Sequence, residues 1–366
     1  MNTLIKFAAN RVWRTYQGGK LLDQMAGAEN PQDSNFPEDW IGSTVEAHNV
    51  GREERSEGLA ELRTRDGDIL TFRELLTQQQ STLLGGTKKE PRSLDDIPLV
   101  KYLDSSTRLH FQVHPTREFA QERLESPRGK TEAYVILAIR EDVQNPYIYS
   151  GFQRPPSRQQ LKQWIQEQDI DSIESCFDKI PVKPGDVFLI PGGRPHALGE
   201  GLLLLEIMEP SDLAVRFEFE RDGYTIPEAA RFMGRDIDTA LDVFDLNPVS
   251  PARIDEEFRC TPVTLTQQEG NLLEQLIGPS DTSCFGVKRA TTDRRFVREE
   301  KSFFFGIVAA GEGRFRIGDD VIFLKQWDRF FCPANVVFFQ YESDTGMTVL
   351  ECYPGENARP EGLPKK

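Results

Sequence analysis

Three short stretches hold the side chains with the most chemistry to offer. In Leu109-His110-Phe111-Gln112-Val113-His114-Pro115 the residue types alternate at period two and Pro115 stops the run, which predicts a strand. His110, Gln112 and His114 then share one face, and Phe111 and Val113 the other. A buried face carrying such groups has to pair them, because an unpaired buried polar group costs about 1–3 kcal/mol. A metal ion is one such partner, since strand spacing lets Gln112 and His114 reach one ion and neutral imidazole is a common zinc ligand. A hydrogen-bonded histidine in a polar strand satisfies the same pattern.

Two later stretches add to the set. Gly129-Lys130-Thr131-Glu132 leads into the apolar strand Ala133–Ile139, with the Glu132 carboxylate at its mouth. Further on, the turn Lys183-Pro184-Gly185-Asp186 opens the strand Val187–Ile190, followed by Pro191-Gly192-Gly193-Arg194-Pro195-His196. Turn, short apolar strand, Pro-Gly and then His is the way a small β-barrel aims a histidine into its cavity. Gln112, His114, Glu132 and His196 together make a mixed nitrogen and oxygen set that suits zinc and leaves room for water or substrate.

The motifs QVHP, GKTE and KPGDVFLIPGGRPHALGEG, in this order, resemble those of the type I phosphomannose isomerases, zinc enzymes of the cupin superfamily. The resemblance covers most of residues 1–225 and weakens beyond. It implies a mainly β fold of two cupin-type double-stranded β-helix (jelly-roll) barrels with helical insertions. It also implies one Zn2+ per chain held by Gln112, His114, Glu132 and His196, and a sugar phosphate as substrate.

The elements that must position these groups follow from the rest of the chain. At 366 residues there is length for about two domains. A zinc-binding cupin domain with helical excursions is expected over 1–225, a short helical connector over 226–250, a metal-free cupin-like barrel over 251–356 and a polar tail over 357–366. The last histidine is His196, so the second barrel lacks the means to rebuild the metal set. With 38% hydrophobic and 28% charged residues, the composition is that of a soluble globular protein. No apolar run approaches the ~18–20 residues of a transmembrane helix, and the start does not read as a signal peptide. A net charge of -15 argues against nucleic acid as partner. Five dispersed cysteines without a CxxC pair read as reduced cytoplasmic thiols.

Taken in order, Trp13 is expected to plug the core beneath the barrel. Trp40–His48 reads as a strand with Glu46 and His48 on one face, as outer groups and not ligands. Ile69–Leu84 has helical spacing, with Thr71 as N-cap before Glu74. Thr87–Asp96 reads as an exposed loop. Ile97–Asp104 is an apolar strand interrupted by Lys101, which either snorkels to solvent or points into the cavity, and the resemblance favours the cavity. Ser157–Phe177 is a helical excursion on the outside of the barrel. Leu202–Ile207 is a central strand carrying one carboxylate, Glu206. Ser211–Arg221 reads as a strand whose alternation groups Arg216, Glu218 and Glu220. Short helices are expected at Ile226–Met233 and Asp238–Phe244, and strands from Phe258 to Tyr353.

Interconversion of an aldose and a ketose moves a proton between adjacent carbons, which takes a cation at the oxygens and a poised base. The resemblance places Glu206 as base, with Arg216 and Lys130 stabilising oxygens that turn negative. Lys101, His110 and Arg221 are the expected substrate-binding groups. Lys101, Lys130, Arg216 and Arg221 are expected to leave the site net positive, ready for a dianionic phosphate. The chain departs from the family at His110, where relatives carry serine, at Val215, where they carry tyrosine, and at Phe217-Glu218-Phe219-Glu220. A cupin that binds a sugar or sugar phosphate without turnover, as a sensor, is the alternative reading.

Overall fold

The computed structural model describes residues 4–63, 67–86 and 92–355. Its centre is a sheet of six antiparallel strands in the order Val187–Ile190, Glu132–Ile139, Leu202–Met208, Leu99–Asp104, Glu38–Ile41 and Arg11–Val12. Leucine and β-branched residues dominate its central strands, and Leu202–Met208 is buried along its whole length. Period-two alternation divides each strand between two cores. Leu103, Tyr134, Ile136, Phe188, Leu202 and Leu204 face one cluster, together with Ile148 and Leu198 of a second sheet. Val100, Tyr102, Ala133, Val135, Leu205 and Ile207 face another, shared with Phe285, Phe305, Phe331 and Leu350 of the C-terminal region.

The second sheet has five strands, Ile180–Pro181, Tyr147–Ser150, His196–Leu198, Gln112–Val113 and Val215–Arg216, and with the six-stranded sheet it closes the first cupin barrel. A ten-stranded sheet builds the C-terminal barrel from Val263–Gln268 to Met347–Pro354. It also takes in Ile5–Lys6, which pairs with Arg329–Cys332, so the start of the chain is woven into the far barrel. Asp39, on the outward side of the Glu38–Ile41 strand, holds Arg329 at 2.7 Å across the junction. No helix among the described residues is long and apolar enough to cross a membrane.

Helices brace the barrels from outside. Phe72–Leu83 starts at a capping box between Thr71 and Glu74 and sends Phe72, Leu76 and Leu83 into the shared core. There Phe72 meets Phe331 edge-on at 5.1 Å. Arg158–Glu167 and Ile170–Glu174 pack Leu161, Ile165 and Ile173 beneath Phe111 and Val113. Phe111 stacks on Phe177 at 4.9 Å and on Phe217 at 5.7 Å. This aromatic anchor fixes which way the intervening Gln112 points.

Several local expectations are revised. Ladder pairing in the 109–115 stretch is confined to Gln112–Val113, because each neighbouring strand is only two or three residues long there. The strand expected over Trp40–His48 is Glu38–Ile41 followed by a turn at Gly42, whose φ of +54 ends it. The 211–221 stretch breaks into Val215–Arg216 and Glu220–Arg221, and the latter forms a hairpin with Tyr224–Thr225 around Asp222 and Gly223, both at positive φ. The helix expected over 226–233 is one turn, Glu228–Ala230, and that over 238–244 is Ile237–Leu241. An unexpected helix, Pro251–Glu257, follows the N-cap Ser250; Ser-Pro at a helix start is a signal the sequence carried. Residues 87–91 of the expected loop, and all of the expected 357–366 tail, lie outside the described residues.

Because one core serves both barrels, Phe72→Ala should destabilise the whole molecule by about 3–5 kcal/mol, read as a shift of a single urea transition. A chain ended at residue 250 should be insoluble, since it bares the outer face of the six-stranded sheet; a soluble and stable fragment would disprove the shared core.

Candidate active site

Gln112 stands between His196 and Arg216, its cross-strand partners on either side. Its side-chain nitrogen lies 3.3 Å from His196 Nε2. Glu132, one strand away in the facing sheet, puts Oε2 3.2 Å from His114 Nε2 and Oε1 3.1 Å from His196 Nε2. His114, Glu132 and His196 are buried, and their donor atoms lie within 4.8 Å of one another. Both imidazoles point the other ring nitrogen at a backbone carbonyl: His114 Nδ1 to Leu213 at 2.8 Å and His196 Nδ1 to Arg194 at 2.8 Å. A carbonyl only accepts, so Nδ1 carries the proton in each ring and Nε2 presents a lone pair. Two lone pairs and a carboxylate thus converge, met in this structure by N–H donors from Lys130 and Gln112, in an arrangement that a metal ion would also satisfy.

The chemistry of the donors agrees. Burial, with the Lys130 ammonium beside it, pushes His114 down to about 3, so the ring stays neutral at physiological pH. Burial works against the Glu132 carboxylate, but Lys130 and the two imidazoles hold it well below the usual range. Lys130 Nζ lies 2.9 Å from His114 Nε2 and 3.0 Å from Glu132 Oε2, and the Tyr134 hydroxyl donates to Glu132 Oε1. The residues fit a borderline divalent metal ion.

The floor of the same cavity is an array of buried charges. Lys101 points inward, with Nζ 3.1 Å from Glu206 and 3.2 Å from Glu38. Arg14 grips Glu38 at 3.0 Å and Asp212 at 3.0 Å and stacks over Trp40. Burial, reinforced by the Glu132 carboxylate, overcomes the pull of Lys101 and lifts Glu206 to about 8. Arg216 lines the cavity, bonded through Nη1 to the Ala230 carbonyl at 3.1 Å. Among the described residues no carboxylate lies in ion-pair range of its guanidinium. His110 completes the wall, buried at 5% exposure.

One expected site residue falls elsewhere. Arg221 does not line the cavity: its guanidinium is spent on Glu218 at 3.0 Å and on the Arg108 carbonyl at 2.7 Å. Glu218 turns away from Arg216 to take a bidentate bond from Arg108 at 2.7 and 2.9 Å, and Glu220 is exposed. Trp13 is not a core plug either. It lines the cavity edge-on to Tyr224 at 5.6 Å, while Trp40 fills the core. The expected net positive site is largely neutralised, because Glu38 and Asp212 join Glu132 and Glu206 against Arg14, Lys101, Lys130 and Arg216. The surplus shrinks to the charge that a protonated Glu206 leaves. Tyr134 was legible by alternation from Glu132, and Glu38 from Trp40. Arg14 carried no local signal, since Asp212 is 198 positions away.

Two antiparallel barrels, the first with His114, Glu132 and His196 gathered in its cavity, define a cupin fold with a cluster that could hold a metal ion. No family model matches the chain. It is 28% identical to mannose-6-phosphate isomerase of Streptococcus mutans over 247 residues, 67% of this chain and 71% of that one. To mannose-6-phosphate isomerase ManA of Bacillus subtilis it is 28% identical over 251 residues, 68% of this chain and 73% of that one. In fold it is similar to the crystal structure of mannose 6-phosphate isomerase from Bacillus subtilis, with a TM-score of 0.73 at 21% identity, covering 95% of this chain and 99% of that one. A mutant of phosphomannose isomerase from Salmonella typhimurium gives 0.67 at 16% identity, covering 96% and 100%. These similarities support the type I phosphomannose isomerase family for the chain.

Behind the donors, buried Glu209 ties two ligand segments together. It takes Arg117, just past His114, at 2.6 Å, and the Thr131 N–H, beside Glu132, at 3.1 Å. Glu209→Gln should therefore weaken metal binding ~10-fold, the lower end of the loss seen for groups that support ligands, measured by competition with a chelating dye. The raised Glu206 has a second consequence, in metal-free protein. The unfolded chain ionises near its ordinary ~4.3 while the folded chain holds the proton to about 8. Stability should then fall as pH rises through that window, by up to ~1.4 kcal/mol per pH unit, and Glu206→Gln should flatten the slope in urea titrations.

Proposed function

We propose that the chain is a zinc-dependent aldose–ketose isomerase that interconverts mannose 6-phosphate and fructose 6-phosphate through an enediol, with Gln112, His114, Glu132 and His196 as the zinc ligands. The observation that carries this reading is a carboxyl lifted to about 8, on Glu206, in one buried cavity with the three-residue donor cluster. The names of the relatives support the substrate. The bound ion would supply polarisation of the substrate's carbonyl and hydroxyl oxygens.

The chain's own residues supply the rest. Glu206 takes the proton from the carbon beside the carbonyl and returns it to the neighbouring carbon, a task suited to a pKa near the working pH. Lys101, at 3.1 Å, holds the Glu206 carboxylate in place once it is ionised. Lys130 Nζ, already beside the donor cluster, offers a proton's worth of charge to an oxygen that turns negative in the enediol. Arg216, whose guanidinium has no direct ion-pair partner among the described residues, serves the phosphate or an enediol oxygen. Trp13 and Tyr224 border the cavity and restrict water. Free thiols at all of Cys176, Cys260, Cys284, Cys332 and Cys352 agree with a reducing cytoplasmic location.

Elemental analysis should find one zinc per chain, lost in His114→Ala and His196→Ala; full zinc in both variants would sink the ligand assignment. Chelation should lower the melting temperature, because a bound ion stabilises the native state. In a coupled assay, Glu206→Gln should lower kcat by ~10²–10⁴-fold and abolish the limb of the pH–rate profile that rises as the base ionises. Tight binding of mannose 6-phosphate with no turnover at any metal loading would make the protein a sensor instead. Phosphorylated sugar should bind at least ~100-fold more tightly than free sugar, and Arg216→Ala should remove much of that margin in calorimetry.

A further inference from the structure

His110 is the polar group in the cavity wall that the isomerase reading leaves without work. Its imidazole is 95% out of solvent, at 5% exposure, and it lines the cavity beside Gln112 and Arg216. Its Nε2 has no hydrogen-bond partner. Three flanking polar groups are committed elsewhere: Arg108 to Glu218 and the Leu109 carbonyl, Arg221 to Glu218 and the Arg108 carbonyl, Gln112 to the donor cluster. An orphaned ring nitrogen in such a setting is destabilising until something pairs with it. We propose that His110 Nε2 is a specificity group that hydrogen-bonds a hydroxyl of the sugar, and not its phosphoryl group.

The choice of hydroxyl over phosphoryl rests on charge and on hydrogen-bond character. The Arg216 guanidinium, which lines the same cavity and offers only donors, already suits a dianion. A ring nitrogen that gives or takes one hydrogen bond matches a hydroxyl, which does both. A site built to pair with a hydroxyl also rejects analogues that lack it, since its own polar group is then left unpaired.

The inference rests on the isomerase reading, and the test separates the two. Metal-loaded wild type, His110→Phe and His110→Gln would be compared by calorimetry with mannose 6-phosphate, free mannose and inorganic phosphate, with metal content and melting temperature checked in each. His110→Phe should weaken both sugars by a similar factor of ~10, leave inorganic phosphate unchanged and keep full metal. His110→Gln, which returns an amide near the Nε2 position, should recover part of the loss. A loss confined to the phosphorylated sugar and inorganic phosphate would overturn the assignment, as would no loss at all or failure of Gln to recover any. If wild type turns over mannose 6-phosphate while His110→Phe is indifferent, only His110 is misassigned. If wild type neither binds nor turns over the sugar phosphate, the isomerase reading falls and the His110 assignment with it.

Discussion

A carboxylate with no solvent exposure, on Glu132, sets the terms for everything around it. Ionised in a low-dielectric interior, it has to be met by positive charge or by hydrogen-bond donors, because the desolvation cost is several kcal/mol. The chain answers with Lys130, with the Tyr134 hydroxyl, and with a pair of imidazoles, His114 and His196, in contact with both carboxylate oxygens. The cluster that results is one that could hold a metal ion. The same logic repeats on the cavity floor, where Glu38 lies between Arg14 and Lys101, and Lys101 between Glu38 and Glu206. Glu206 receives the weakest share of positive charge in that chain and is the carboxyl whose pKa rises.

Such an array needs rigid walls, and the six-stranded sheet supplies them. Each of its inner strands shows one set of side chains to the charged cavity and the other to the C-terminal barrel. Lys101 and Leu103 point one way, Val100 and Tyr102 the other; Glu206 and Leu204 one way, Leu205 and Ile207 the other. On Glu38–Ile41 the division is sharpest: Glu38 belongs to the cavity, while Asp39 pairs with Arg329 of the far barrel. The C-terminal barrel offers no histidine, yet its apolar face is the support against which the charged wall is held. Its own polar interior is closed on itself, with Glu351 accepting from Arg298, Tyr341 and Tyr353.

Sequence by itself determined the parts that are local. Alternation put Gln112 and His114 on one face, turn chemistry at Pro184-Gly185 and Pro191-Gly192 aimed His196, and the Thr71–Glu74 pair started its helix where expected. The clustering of His114, Glu132 and His196 and the barrel class were legible because each of these residues sits within a few positions of a motif that fixes its direction. What only the tertiary structure decided is pairing across long separations. Arg14 with Asp212, Arg108 with Glu218 and Glu209 with Arg117 are joined by folding, so no window of the chain contains both partners. Those pairings took Arg221 out of the cavity, balanced cations that sequence counting had left in surplus, and settled Glu206, where burial and a neighbouring lysine pull in opposite directions. Side-chain charge is written in the sequence, but its compensation depends on distances that exist only in the fold.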